Sequence, residues 1–210
     1  MSTDVLGFKL WLRARRPRLM LTVFVVQVLH PWFASQTLVP LPDLLLGDLV
    51  DTPIAVLAPI IMVALVQIVL DTDEGDRTAC PVVRFHLLDV GLLAVLAAVG
   101  LISGLFGSWQ MDSLAHLSWA RNSLVYLGLA AASRVVGGTR AMSAGPLIAG
   151  MAVVLFGRGQ STEPSAWALT LQPPDSVASI GLATAVFLIG VTVAVVQPPH
   201  NSRLLTRGTP

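Results

Sequence analysis

Residues with catalytic or metal-binding chemistry are few and scattered in this sequence. The four histidines include no pair at i, i+4 helical spacing, so a metal site would require distant segments to converge. They are His30, His86, His116 and His200. No GxxxxGKS, GxxxxGKT, HExxH, CxxC or GxSxG motif occurs. The single cysteine, Cys80, has no second cysteine for an intrachain disulfide. We therefore expect no catalytic residue, no metal site and no cofactor bound by this chain.

Two charged residues within apolar runs are the remaining candidates, because an ionisable group in a membrane is expensive and usually functional. Asp89 lies one turn into an apolar run, where we expect it to pair with Arg84 or with the basic end of a neighbouring helix. Arg121 lies near the end of another run, where its long side chain could reach the interface as an anchor. No chain of acids crosses the apolar runs, so a proton relay is disfavoured. Interhelical hydrogen bonds are expected from Gln27, Gln67 and Gln197.

The composition requires these residues to sit on membrane-spanning helices. Of 210 residues, 54% are hydrophobic and 12% are charged, whereas a soluble domain has about 25% charged residues. The net charge of +1 gives no nucleic-acid footprint. We predict an all-α membrane protein with six transmembrane helices, at residues 18–39, 52–70, 86–106, 119–136, 141–156 and 176–196.

The N-terminal segment, residues 5–16, has the pattern of a helix that lies in the membrane interface. Phe8 and Trp11 fall on one side, and Lys9 and Arg13 fall toward the other. A cleaved signal peptide is the competing interpretation, but no A-x-A cleavage site follows, so we favour an uncleaved helix. This divides the chain into an interfacial helix (1–17), a six-helix domain (18–197) and a cytoplasmic tail (198–210). The connector at residues 41–51 is predicted to rest on the outer surface as a short interfacial helix.

The distribution of cations predicts the orientation. With six spans, both ends lie on one side of the membrane. If that side is the cytoplasm, eleven of the thirteen cations are cytoplasmic, and only Arg121 and Arg158 are outside. This is the positive-inside pattern, and it predicts cytoplasmic N- and C-termini in a plasma membrane.

The most polar internal stretch, residues 71–86, lies on the predicted cytoplasmic side between the second and third spans. It begins with an acidic cluster, whereas a plain cytoplasmic connector normally carries Lys or Arg. Pro81 can start a short amphipathic helix, with Val82 and Phe85 apolar and Arg84 polar. An acidic turn followed by such a helix suits docking into a groove on a soluble partner. An ordinary solvated connector is the equally weighted alternative.

This layout resembles the permease subunit of a type-2 ATP-binding-cassette exporter, of the small actinobacterial type. Those permeases have an N-terminal amphipathic elbow helix, six spans with cytoplasmic ends, and a coupling helix in the first cytoplasmic loop. The matching pieces are Glu74-Gly75 followed by Pro81-Val82-Val83-Arg84. Asp76 stands where the family pattern has Thr, Val83 stands where it has Ser, and the loop is shorter.

The resemblance implies a subunit that forms half of a translocation pathway in a bacterial plasma membrane. A separate ATPase, which supplies ATP and Mg²⁺ chemistry, would contact Glu74, Pro81, Val82, Arg84 and Phe85. A second permease copy or paralogue would complete the pathway. The alternative is a non-transporting scaffold or immunity-type subunit of a larger membrane complex. An intramembrane enzyme is disfavoured, because no nucleophile–base or metal set is present.

Overall fold

The computed structural model describes residues 3–34, 37–71, 85–158 and 163–197. Within these ranges the chain is mostly helical, with one small β-hairpin. The helices are α1 (Thr3–Ala14), α2 (Pro17–Ala34), α3 (Ala58–Leu70), α4 (Phe85–Met111), α5 (Ala115–Gly137), α6 (Ala144–Phe156) and α7 (Val177–Val196). The two strands are β1 (Leu38–Asp43) and β2 (Asp48–Pro53), and short 3-10 turns precede α3 and α6.

Three helical segments are long and apolar enough to cross a membrane: His86–Met111, Thr139–Phe156 and Val177–Val196. The membrane character that the composition predicts is therefore present in the fold. Two shorter apolar helical segments, Pro17–His30 and Ile54–Leu70, accompany them. α5 is not one of the three, because it carries several polar and charged residues along its length. A count of six spans stays a prediction.

α5 is the central helix of the bundle and is buried along most of its length. It packs against α7 and α4 most extensively, and also against α6 and α3. The α5–α7 crossing depends on two glycines: a Cβ at Gly190 would lie 2.1 Å from the carbonyl oxygen of Gly128. Such close backbone approach is typical of helices that associate in lipid, where packing replaces the hydrophobic drive.

The helix boundaries follow from local chemistry. α1 ends before Arg16, whose backbone has a φ of 45°, and Pro17 then opens α2 at a position that tolerates the missing amide hydrogen. α5 ends at Gly137, and the next residue, Gly138, has a φ of 72° that suits glycine. At the start of α7, the Ser176 hydroxyl accepts a hydrogen bond from the Ser179 amide.

The connector at residues 41–51 forms a β-hairpin, and its prediction as a short interfacial helix was wrong. Strands β1 and β2 pair antiparallel from Leu38–Pro53 to Asp43–Asp48. Pro40 and Pro42 lack the amide hydrogens that a helix interior needs. The Asp43 carboxylate instead accepts hydrogen bonds from the amides of residues 45 and 46, which forms a turn. The all-α description therefore needs this one correction.

The hairpin is tied to the C-terminal end of α6. The Leu44 amide donates to the Leu155 carbonyl at 3.0 Å, and Arg158 donates to the Thr52 hydroxyl and the Asp51 carbonyl at 3.2 Å. This defines two ends of the bundle. The hairpin end carries the start of α5 and α7, and the α1 end carries the start of α4 and the ends of α3, α5 and α7.

Candidate functional site

Asp89 is the centre of a buried charge cluster at the α1 end. It lies about one turn into α4 and is only 1% exposed. The Trp11 indole donates to its Oδ1 at 2.8 Å, and Arg15 donates from Nε to Oδ1 at 3.0 Å and from Nη2 to Oδ2 at 2.8 Å. Arg134 Nη2 also donates to Oδ2. We call these four residues the Asp89 cluster; they join α1, α4 and α5.

The Asp89 cluster contains two guanidinium groups and one carboxylate, so it carries a net charge of about +1. The fork-to-carboxylate geometry of Arg15 is the strong, bidentate form of an ion pair. Arg15 Nη1 donates in addition to the carbonyl of Leu70, the last residue of α3, at 2.6 Å. That carbonyl is one of the four that a helix C-terminus leaves without an intrahelical donor, and the positive charge also suits the helix dipole.

Trp11 and Arg15 reach Asp89 because they are four residues apart, about one helical turn. Trp11 lies on the face of α1 that packs on the bundle, and Arg15, directly after the last residue of α1, continues that buried face. Lys9 and Arg13 lie on the exposed side. The predicted N-terminal helix is therefore present, with Trp11 inward and the two cations outward, whereas Phe8, predicted on the same side as Trp11, is exposed. Its position in a membrane interface stays a prediction. Its inner face is held by a polar contact as well as by apolar packing.

A small cavity of about 10 Å³ lies beside Arg134 and is lined also by His86, Val90, Val135 and Ala194. Its volume corresponds to about one water molecule. The Nε of Arg134 has no hydrogen-bond partner among the described residues. This cavity is too small for a cargo or a cofactor, but a water there could complete the hydrogen bonding of Arg134.

A second polar cluster lies at the hairpin end, around Arg121. Its Nη1 donates to the carbonyls of Gln172 and Pro173 at 2.8 and 2.9 Å, and its Nη2 donates to the carbonyl of Thr170 at 3.0 Å. Asn122 donates to the Ala55 and Thr170 carbonyls. These bonds tie the loop before α7 to α5.

The prediction that the Arg121 side chain extends to the membrane interface was wrong. α5 begins at Ala115 rather than near residue 119, so Arg121 lies nearly two turns into the helix and is 2% exposed. Carbonyl groups of the loop before α7 supply the polar partners that solvent or headgroups would otherwise supply. Arg121 therefore positions a loop inside the protein.

The structure places the predicted site residues as follows. Asp89 pairs with basic residues near the ends of two neighbouring helices, which is one of the two pairings expected. Phe85 is the first residue of α4, and its side chain is outside the described part. Asp89 and Arg121 lie at opposite ends of the bundle and form no common site. The other predicted ATPase-contact residues, Glu74, Pro81, Val82 and Arg84, lie outside the described residues.

Sequence reasoning missed Trp11, Arg15 and Arg134 as partners of Asp89. The sequence predicted only that a basic helix end pairs with Asp89, and Arg15 and Arg134 were among the eleven cations predicted to be cytoplasmic. The available signal was the four-residue spacing of Trp11 and Arg15, combined with the need of a buried carboxylate for a cation.

Among the residues that the structure describes, no group of three or more His, Cys, Asp or Glu side chains could hold a metal ion. Comparisons of the chain with family models, with curated proteins and with solved structures find no match.

Proposed function

We propose that this protein is the permease subunit of an ATP-binding-cassette exporter in a bacterial plasma membrane. In this proposal, α2 to α7 supply six spans, both termini are cytoplasmic, and α1 is the elbow helix. A second permease copy or paralogue completes the pathway. ATP and Mg²⁺ are bound by a separate ATPase, and this chain carries no catalytic residue.

The Asp89 cluster is the observation that supports this proposal most directly. α4 follows the polar segment at residues 71–84, which is the predicted ATPase contact, and Asp89 lies one turn after the start of α4. Through Arg15 and Arg134, this turn is joined to α1 and to the central helix α5. If an ATPase displaced the segment at residues 71–84, α4 would therefore move α1 and α5 with it through buried, charge-assisted bonds.

The proposed division of roles follows from this connection. Glu74, Pro81, Val82, Arg84 and Phe85 contact the ATPase, and the Asp89 cluster transmits the movement of α4. Because the cluster is buried and bidentate, α1 and the start of α4 would move together as one body. The bonds of Arg121 would hold the loop before α7 on α5 during this movement.

A scaffold or immunity-type subunit without an ATPase is the second candidate. It is favoured by the fact that both intramembrane charges, Asp89 and Arg121, are used in internal contacts. Charged groups that serve a transport path would instead face a cavity or one another across it. The presence of an ATPase partner distinguishes the two functions.

The test is purification of the intact protein in mild detergent, followed by mass spectrometry of the proteins that accompany it. We expect a stoichiometric ATPase with a P-loop, which is lost in the double variant Glu74→Lys, Arg84→Glu. Glu163→Lys, an exposed change at the hairpin end, is the control and should retain the ATPase. A folded wild-type protein without any ATPase would contradict the proposal and favour the scaffold function.

A further inference from the structure

Four buried polar atoms between α2 and α5 have no hydrogen-bond partner among the described residues. They are Gln27 Oε1, His30 Nε2, Trp119 Nε1 and Ser123 Oγ. The residues Gln27, Trp119 and Ser123 are fully buried. None of these four atoms belongs to the Asp89 or Arg121 clusters.

These four residues form one continuous surface, which we call the polar seam. Gln27 and His30 are three residues apart on α2, and Trp119 and Ser123 are four apart on α5, so each pair shares a helix face. The ring centroids of His30 and Trp119 lie 4.5 Å apart. Gln27 and Ser123 both border Gly100 of α4: a Cβ there would lie 2.2 Å from Gln27 Nε2 and 3.7 Å from Ser123 Cβ.

The polar seam requires a hydrogen-bonding occupant for energetic reasons. An unsatisfied buried donor or acceptor costs about 1–3 kcal/mol, and total stability is only about 5–15 kcal/mol. Four unsatisfied atoms in one seam would therefore cancel a large part of the free energy of unfolding. In addition, Pro31 has no amide hydrogen, so the Gln27 carbonyl lacks its α-helical donor. Buried polar groups of this kind are normally completed by ordered water.

Exposure along the seam indicates where water enters. His30 is half-buried, whereas Gln27 and Ser123 are fully buried. His30 lies nearer the end of α2 and contacts the start of α5, which is at the hairpin end. Gln27 lies deeper and donates to the Leu96 carbonyl in the middle of α4. The seam therefore runs from the hairpin end toward the middle of the bundle.

The chemistry of the seam defines its ligand. Trp119 can only donate, Gln27 Oε1 can only accept, and Ser123 can do both. The four side chains include no acid, lysine or arginine. This combination suits water and other small neutral hydrogen-bonding molecules, and it offers no cation to hold an anion.

We propose that α2 and α5 enclose a hydrated half-channel, in which water molecules bind Gln27, His30, Trp119 and Ser123. The half-channel opens at the hairpin end beside His30 and closes at Gln27 and Ser123, where Gly100 of α4 leaves room for the glutamine side chain. This proposal is independent of the ATPase partner and holds for the transport function and for the scaffold function alike.

The test compares two cysteines on α5 that are equally buried. Ser123→Cys places a thiol in the seam, and Ala130→Cys places one in the apolar core of the same helix; both positions are 0% exposed. Both variants carry Cys80→Ser. Because the thiolate is the reacting form, water must reach it. We expect 2-aminoethyl methanethiosulfonate to modify residue 123 at least about tenfold faster than residue 130, in lipid nanodiscs by intact mass.

A second pair of variants tests the route. Gly100→Val adds a side chain beside Gln27 and Ser123 and should slow the modification of Ser123→Cys. Gly91→Val on the same helix, where a Cβ meets no atom within 4 Å, should leave the rate unchanged. Equal modification rates at residues 123 and 130 would overturn the proposal, because transient opening of the whole bundle exposes both thiols. If Gly100→Val does not fold, the comparison of residues 123 and 130 still decides.

Discussion

Asp89 illustrates how a single carboxylate can organise one end of a membrane bundle. It accepts hydrogen bonds from Trp11, Arg15 and Arg134, which come from two different helices. An ionised carboxylate in an apolar interior is costly unless it is paired and hydrogen-bonded. Both conditions are met here. The cost of burying Asp89 is offset only while its arginines are in place, so the residue constrains α1 and α5 together.

Replacement of Asp89 by Asn should destabilise the protein by about 3–5 kcal/mol, because two buried guanidinium groups would lose their only carboxylate in the cluster. The measurement is the thermal unfolding midpoint of the purified protein in detergent. Asp112→Asn, at an exposed acid, is the control and should leave the midpoint unchanged.

The same argument predicts that removing all three charges recovers part of the lost stability. The triple variant Arg15→Met, Asp89→Leu, Arg134→Met removes all three charges and should be more stable than Asp89→Asn alone. Equal midpoints for wild type and Asp89→Asn would show that the ion pairs contribute nothing to stability.

At the scale of elements, α5 is the helix on which the bundle depends. It carries polar contacts at both ends and close glycine packing in the middle, so its polarity reflects its central position. A helix with this many polar groups would be unfavourable facing lipid. Its neighbours α4, α6 and α7 supply the apolar surface toward the membrane, including the exposed Ile102, Ile148 and Ile189.

Gly190→Ala should destabilise the α5–α7 crossing by about 1–3 kcal/mol, the usual cost of overpacking. The added Cβ would meet backbone atoms of Gly128, which no side-chain rotation can move aside. Gly181→Ala on the same helix is the matched control, since a Cβ there meets nothing within 4 Å. Thermal unfolding of both variants in detergent measures the difference. Similar unfolding midpoints for Gly190→Ala and Gly181→Ala would contradict the prediction, because the Cβ at residue 190 would then cost no stability.

At the scale of the whole molecule, the two ends of the bundle differ in their charged residues and in the contacts of those residues. The α1 end carries the Asp89 cluster together with the exposed cations of α1. The hairpin end carries the hairpin and the contacts of Arg121 and Arg158. Because both hairpin-end arginines are engaged with carbonyl or hydroxyl groups, they offer little free charge to anionic lipid. Under the positive-inside rule we therefore predict that the α1 end lies in the cytoplasm.

Labelling of introduced cysteines tests this orientation. In a Cys80→Ser background, Gln110→Cys at the end of α4 should react with a membrane-impermeant maleimide on intact cells. Arg140→Cys, which is also exposed but lies between α5 and α6, should react only after permeabilisation. The reverse pattern would invert the proposed orientation. Labelling of both residues from one side would contradict a span at α5.

The positions of the apolar helices could be predicted closely from the sequence, because length and hydropathy depend on local composition alone. α4 and α7 lie where the third and sixth spans were expected. The hairpin was missed although Pro40, Pro42 and Gly47 were visible, since apolar residues in the connector favoured an interfacial helix.

The sequence by itself determined that this is a membrane protein with an amphipathic N-terminal helix and an asymmetric distribution of cations. These properties are sums over neighbouring residues, so no knowledge of packing is needed. Only the tertiary structure decided which charges meet. Arg15 and Asp89 are 74 residues apart in the chain, and His30 and Trp119 are nearly 90 apart. Such pairings depend on how the helices rotate and cross, and close contacts such as Gly128 against Gly190 determine that rotation.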